Sequence, residues 1–294
     1  MITITTLLSE ASTRLAATSN TPRLDAELLL GKILAYSRLD LIRESHEHVS
    51  ADNIKFFEQL IDRRARHEPV AYIIGEKEFF GLTLVVNSSV LVPRPETELL
   101  VEEALRCADL IAGEIRILDL GTGSGCITIA LADALNNKGR SASLLAVDSS
   151  AQALLVAHSN AERHKVERQI EFRRSDWFSA IRNDESFDII VANPPYIALD
   201  DLRVSPELAH EPQTALYAED QGFADINKII ESVFSRSTLP RLLLLEVGES
   251  QARDLARAIE ERSLESKNVS CKVLTDLAGH ARVVSVTFGS RGEL

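Results

Sequence analysis

At 294 residues the chain is long enough for one large domain and a small one. Hydrophobic residues at 45% and charged residues at 26% are ordinary for a globular protein, and three distant cysteines exclude a disulfide framework or a metal-ligand spacing. The net charge of −12, with nine basic and ten acidic residues over 1–75 and so −11 beyond them, argues against nucleic acid as a partner, because phosphate binding calls for a basic footprint.

The amino end shows no basic segment leading into a long apolar core, and no run of about 18 apolar residues occurs. A cytoplasmic protein in a reducing compartment is expected, monomeric, without a membrane or a bound metal. No internal repeat or low-complexity segment appears.

Residues 1–75 read as a small helical recognition or docking domain. Thr21-Pro22 opens a helix, with Asp25 and Glu27 suited to its positive end and Leu24, Leu28, Leu29 and Ile33 at helical spacing. Ser50 starts another, with Ile54, Phe57, Leu60 and Ile61 on one face and Arg63, Arg64, Arg66 and His67 at its end, where basic charge complements the helix dipole. Residues 76–92 read as a linking β-hairpin: Phe79–Val86, a turn at Asn87-Ser88-Ser89, then Val90-Leu91-Val92. Pro93-Arg94-Pro95-Glu96-Thr97-Glu98 then opens a helix at Leu99, with Glu96 or Thr97 supporting its first turn and Arg94 and Glu98 candidates to line a site.

The remainder, 93–294, alternates strand and helix in the manner of a doubly wound α/β sheet. Ile115–Leu120 is a strand that runs into Gly121-Thr122-Gly123-Ser124-Gly125 and a helix from Cys126, the nucleotide-binding opening of such a sheet. The spacing is G-x-G-x-G and not that of the dinucleotide or P-loop fingerprints, which disfavours a pyrophosphate ligand. Ser143–Asp148 is the second strand, and Asp148 at its end can accept both hydroxyls of a ribose or cap the helix that follows. Ile170–Arg173 is the third strand. Trp177, the single tryptophan, follows its end and offers a flat surface for an adenine ring or plain core.

Phe187–Ala192 is a fourth, buried strand that stops at Asn193-Pro194-Pro195-Tyr196. Two prolines take the chain out of the sheet in a stiff extended segment, leaving an amide, two carbonyls and an aromatic ring at a strand's carboxyl end. A helix near Asp225–Phe234, an apolar strand Leu242–Gly248, a helix near Gln251–Arg262 and two strands (Lys272–Leu274 and Arg282–Phe288) forming an antiparallel edge complete the chain.

With Asp119, the glycine turn, Asp148 and Asn193-Pro194-Pro195-Tyr196 in this order, the chain resembles the class I S-adenosylmethionine-dependent methyltransferases. It is more closely similar to the glutamine N5-methyltransferases of peptide chain release factors, the HemK/PrmC family. The resemblance spans nearly the whole chain, through Thr21–Leu29, Glu68–Tyr72, Pro93–Glu98, Ser175-Asp176-Trp177-Phe178 and Asp276–Gly279. Gln213 departs from it, standing after Glu211-Pro212 where a basic residue is expected.

The resemblance implies a Rossmann-like seven-stranded sheet with an antiparallel edge, plus the helical domain and its hairpin. It implies S-adenosyl-L-methionine as cofactor, leaving S-adenosyl-L-homocysteine, held by Asp119, Gly121 to Gly125, Asp148, Asp176, Trp177 and Asn193. It implies the glutamine of a Gly-Gly-Gln loop in a class-1 release factor as substrate, met by Arg94 and by Asn193 to Tyr196, and a role in translation termination.

The residues suit that chemistry. A carboxamide nitrogen is a poor nucleophile because its lone pair is delocalised, and Asn193 and the Pro194 carbonyl can each accept one of its N–H groups and aim it at a methyl donor. Such positioning can lower a barrier by about 7–11 kcal/mol. The Tyr196 ring can lie against the amide and favour a cationic donor. In-line transfer without a covalent enzyme intermediate is expected.

The main alternative is a DNA adenine-N6 methyltransferase, which shares the Asn-Pro-Pro-Tyr element but needs a basic groove that the charge balance does not supply. A non-catalytic cofactor-binding adaptor would not need Asn193 and Tyr196, and a dehydrogenase fails at the glycine spacing.

Overall fold

The computed structural model describes residues 2–201, 204–262 and 269–289. It divides into two units, Met1–Glu76 with Val204–His210, and Lys77–Arg203 with Glu211–Leu294.

The first unit is helical: α1 (Ile4–Leu15), α2 (Pro22–Leu34), α3 (Arg38–Arg43), α4 (Ala51–Ala65) and α5 (Val70–Ile74). Thr3, Ser37 and Ser50 each accept a backbone N–H at a helix start, which satisfies donors that the first turn leaves free. Leu8, Leu15, Leu29, Leu30 and Phe57 fill its core.

Asp25 and Glu27 do not merely face the dipole of α2; both are buried anchors. Asp25 accepts from Ser19 Oγ (2.7 Å), Thr21 Oγ1 (2.9 Å) and Arg64 Nε (2.6 Å), and Glu27 holds Arg23 and Arg38. Arg64, from the basic run at the end of α4, also reaches Glu207 Oε1 at 2.6 Å. The fold thus turns one charge of that run into an interior cross-link.

A hairpin of β1 (Glu76–Phe79) and β2 (Leu82–Val85) follows. Its turn is Phe80-Gly81, both at positive φ (51° and 77°), a geometry whose twist matches the paired strands. The chain does turn at Asn87–Val90, but the expected strand over Val90–Val92 is not formed. Val92 N donates instead to the Glu211 carboxylate at 2.9 Å, so this apolar run is held by a buried side chain and not by a sheet ladder.

The rest of the second unit runs α6 (Glu98–Ala108), β3 (Ile115–Leu120), α7 (Cys126–Asn137), β4 (Ala142–Asp148), α8 (Ala151–Arg163), β5 (Ile170–Arg174), β6 (Ile189–Ala192), β7 (Ile197–Ala198), β8 (Tyr217–Ala218), α9 (Ala224–Phe234), β9 (Leu242–Glu246), α10 (Ala252–Arg262), β10 (Val269–Thr275) and β11 (Ala281–Phe288). Seven strands form one sheet in the order β10-β11-β9-β6-β3-β4-β5, parallel except where β11 pairs antiparallel with β9 and β10.

Strand alternation splits the core in two. Ile117, Val191 and Leu244 pack with Leu100 and Val101 of α6 and Ile129 and Leu131 of α7, whereas Leu118, Ala192 and Leu245 pack with Ile229 of α9 and Leu255 of α10. A sheet buried on both faces explains why its central strands are apolar throughout their length. Among the described residues no helix is long and apolar enough to cross a membrane.

Candidate active site

From β3 the chain steps to β4 and β5 on one side, then returns to β6 on the other. A crevice therefore opens beyond the carboxyl ends of β3 and β6, where open α/β sheets place ligands. A cavity of about 340 Å³ lies there, walled by the glycine turn, the ends of β4 and β6, Trp177, and the Arg94 and Pro212–Tyr217 segments.

The glycine turn leaves β3 with Gly121 N and Thr122 N both donating to Val147 O at 2.9 Å. Gly121 has φ +74°, and a Cβ there would meet the Trp177 ring at 3.2 Å. Gly125 at φ +81° heads α7, where a Cβ would meet Ile129 at 2.8 Å and Ala157 at 3.1 Å. These positions need glycine for conformation and for close approach together.

Asp119 lies beneath the turn and does not line the cavity. Its Oδ2 accepts from Thr122 Oγ1 and Thr128 Oγ1, both at 2.7 Å, while Oδ1 is buried without a partner among the described residues. Burial pushes its carboxyl up to about 6, against the pull of the two hydroxyls.

Asp148 does line the cavity. It accepts from Gly123 N at 2.9 Å and Ser150 N at 2.8 Å, tying the turn to the start of α8, whose cap is Ser150 and not Asp148. Burial raises its pKa despite these donors. Asn160 of α8, fully buried, braces the turn by donating to Ser124 O at 2.9 Å and pairs with the backbone of Val85.

Trp177 presents its ring to the cavity from a left-handed backbone position, φ 47°, with its indole N–H donated to Asp225 Oδ1 at 3.0 Å. Asp176 beside it also lines the wall.

Asn193 and Pro195 line the cavity, whereas Pro194 and Tyr196 do not. Asn193 donates Nδ2 to Thr97 Oγ1 at 3.2 Å, which turns its Oδ1 the other way. Tyr196 packs its ring beside Gly248 and points its hydroxyl at Glu246 Oε1, 3.4 Å away. Burial and the Glu246 charge raise the Tyr196 pKa. Gln251 clasps this element from behind, donating to Tyr196 O and Gln221 O at 3.2 Å. Arg94 reaches the wall while paired to the buried Glu211 at 2.5 Å; Glu98 is engaged elsewhere, accepting from Phe80 N at 2.9 Å. Gln213 is exposed and donates to Glu211 O at 3.1 Å.

The fold thus brings Arg94, Gly121, Thr122, Gly123, Ser124, Asp148, Asp176, Trp177, Asn193 and Pro195 to one cavity, with Asp119, Gly125, Pro194 and Tyr196 behind its wall. Thr97, as the partner of Asn193, and Asp225, Asn160, Gln251 and Glu246 are not legible from motifs. The one available signal was Glu246, a lone acid closing the otherwise apolar strand Leu242–Glu246, which is 1% exposed and not part of an apolar stripe.

Comparison with known proteins adds family evidence. Residues 6–75 match the model of the PrmC N-terminal domain, and residues 96–219 match that of the methyltransferase small domain. The release factor glutamine methyltransferase of Shewanella oneidensis is 40% identical, over 86% of this chain and 86% of its own. That of Nitratidesulfovibrio vulgaris is 39% identical over 96% and 94%.

Among solved structures, the hMettl16 catalytic domain in complex with MAT2A 3′UTR hairpin 1 superposes with TM-score 0.58 at 17% identity, over 90% of this chain and 91% of that one. The N-terminal domain of human METTL16 in complex with SAH gives 0.50 at 20%, over 72% and 77%. At such identities these two speak for the shared fold alone.

Proposed function

The chain belongs to the release factor glutamine methyltransferases and is a methyl-transfer enzyme, and we propose that it methylates the side-chain amide nitrogen of the glutamine in the Gly-Gly-Gln loop of a class-1 peptide chain release factor. The observation that carries this reading is the orientation of Asn193: its NH2 donates to Thr97, which leaves its carbonyl oxygen to accept the N–H of an incoming amide at the cavity.

The wall fits an adenosyl sulfonium cofactor. A turn without side chains at Gly121 and Gly123 admits a ligand closely, the Asp148 carboxylate suits vicinal hydroxyls, and the Trp177 ring, fixed by Asp225, suits a flat heterocycle. Bound there, S-adenosyl-L-methionine supplies an electrophilic methyl group.

The chain's own task is to hold the acceptor. Asn193 Oδ1, on the cavity wall, takes one N–H group of the glutamine amide, and the Pro194 carbonyl, next along the chain and outside the cavity lining, is assigned the other, which fixes the nitrogen and draws density towards it. Pro194 and Pro195 keep these acceptors stiff. Tyr196, packed behind the wall, supports the element from its far side. Arg94, neutralised by Glu211, adds a donor at the rim without a bare positive field. The helical unit, residues 1–75, serves to recognise the release factor, with 76–92 linking it to the transferase part 93–294, in the cytoplasm where termination takes place.

The test is transfer of labelled methyl from S-adenosyl-L-methionine to purified release factor and to duplex DNA in parallel, with peptide mapping. Label is expected on the Gly-Gly-Gln glutamine alone. Asn193→Ala is expected to lower kcat about 100-fold or more, because orientation is lost, with cofactor affinity changed only a few-fold. Label on DNA, or an unchanged kcat in the variant, overturns the reading.

A further inference from the structure

Glu246 ends β9 one rung beyond Leu245, and Leu245 pairs in parallel with Ala192 of β6. The residue that follows β6 is Asn193, so Glu246 and Asn193 stand level at the ends of neighbouring strands. Val191 and Leu244 share the face covered by α6, and strand alternation puts Asn193 and Glu246 on that same face. Thr97, immediately before α6, accepts from Asn193 Nδ2 at 3.2 Å, and its hydroxyl favours the charged form of the Glu246 carboxyl. Tyr196 OH approaches the other side of the same group, 3.4 Å from Oε1. A carboxyl 1% exposed, with Oε2 unpaired among the described residues, is expensive to keep, and here it meets the tyrosine of the Asn-Pro-Pro-Tyr element.

We propose that Glu246 is a positioning residue, which through Thr97 and Tyr196 fixes the amide orientation of Asn193 and so keeps a carbonyl facing the substrate. The logic is one of donors and acceptors. An ionised carboxylate only accepts, so the single Thr97 hydroxyl proton goes to Glu246 and the Thr97 oxygen is left to accept from Asn193. The Asn193 amide then has one orientation. A protonated Glu246 can itself donate to Thr97, which frees the Thr97 proton to bond Asn193 Oδ1 and allows the amide to turn over. Glu246 does not line the cavity and acts only through these neighbours.

Other charged and titratable groups facing Glu246 are Glu96 before α6, Cys126 at the head of α7, Tyr196 itself and Arg282 of β11. Burial and Glu96 raise its pKa, to about 7, and Arg282 opposes them. The arrangement that holds Asn193 is therefore completed as pH rises through neutrality.

This inference rests on the proposed methyl transfer to a release-factor glutamine. It is tested by steady-state kinetics of the full chain from pH 6 to 9, with Glu246→Gln, Thr97→Val and Thr97→Ser beside the wild type, and with cofactor titration as the check on folding. The wild type is expected to show a kcat limb near pH 7 that Glu246→Gln lacks. Glu246→Gln and Thr97→Val are expected to lower kcat about tenfold or more with the release-factor KM within a few-fold, and Thr97→Ser to recover most of the loss. A wild-type kcat in Thr97→Val, or a neutral limb that persists in Glu246→Gln, overturns the positioning role while leaving the activity standing. Failure of the wild type itself to label the release factor overturns the underlying function instead.

Discussion

Two buried acids of the second unit, Asp119 and Glu246, sit in neighbourhoods that raise their pKa values. Asp119 is matched by two threonine hydroxyls yet retains an oxygen without a partner among the described residues, and Glu246 meets the Tyr196 hydroxyl with such an oxygen of its own. Their pKa values, about 6 and about 7, are raised above those of the unfolded chain. Between the unfolded value near 4.5 and pH 7 the unfolded state releases the Glu246 proton while the folded state keeps it, so this group's contribution to stability declines over that window and levels off above it. Glu246→Gln carries no such charge. Its melting temperature relative to wild type is expected to be higher at pH 8 than at pH 5, by scanning calorimetry at both; an equal difference at the two pH values would count against a buried ionisation.

The glycine turn works as an element because three partners brace it: Val147 O from β4, the Asp148 carboxylate and Asn160 of α8. Gly121 sets the gap between this turn and Trp177. Gly121→Ala adds a Cβ at 3.2 Å from the indole and a strained φ of +74°, so either the ring or the turn must move. Cofactor affinity is expected to fall about tenfold or more, since a strained left-handed residue costs about 1–2 kcal/mol. Because Trp177 is the single tryptophan, its fluorescence reports the displacement directly. An unshifted spectrum with native affinity would show that the gap is not needed.

At the scale of the whole chain, the two units have separate cores, and the helical one is pinned by the buried Arg64–Asp25 pair at 2.6 Å. Asp25→Ala leaves Arg64, among the described residues, with Glu207 alone as an acidic partner, and breaking a buried pair costs about 3–5 kcal/mol. The thermal transition of the helical unit is expected to drop while cofactor affinity, which depends on walls in the second unit, stays within a few-fold. A parallel loss of cofactor binding would mean that the two cores do not act independently.

Strand positions, the glycine turn, Asp148 at the end of β4 and the stop at Asn193-Pro194 are readable from order and period, because each is a local property of the chain: apolar runs make buried strands, glycines allow φ > 0, and prolines end ladders. The hairpin turn was misplaced because Val90–Val92 has strand composition, and composition does not reveal whether a partner strand exists. Similarly, Asp25 and Glu27 read as dipole-facing acids until the chain brings Arg64 and Arg38 to them.

The pairs in and behind the cavity wall, Thr97 with Asn193, Glu246 with Tyr196 and Asp225 with Trp177, join residues 96, 50 and 48 positions apart. A hydrogen bond between distant side chains leaves no periodicity in either segment. The chain's order therefore carried its family and the outline of its candidate cavity, while the assembled sheet was needed to place Asp148 and Asp176 on the cavity wall and Asp119 and Glu246 off it.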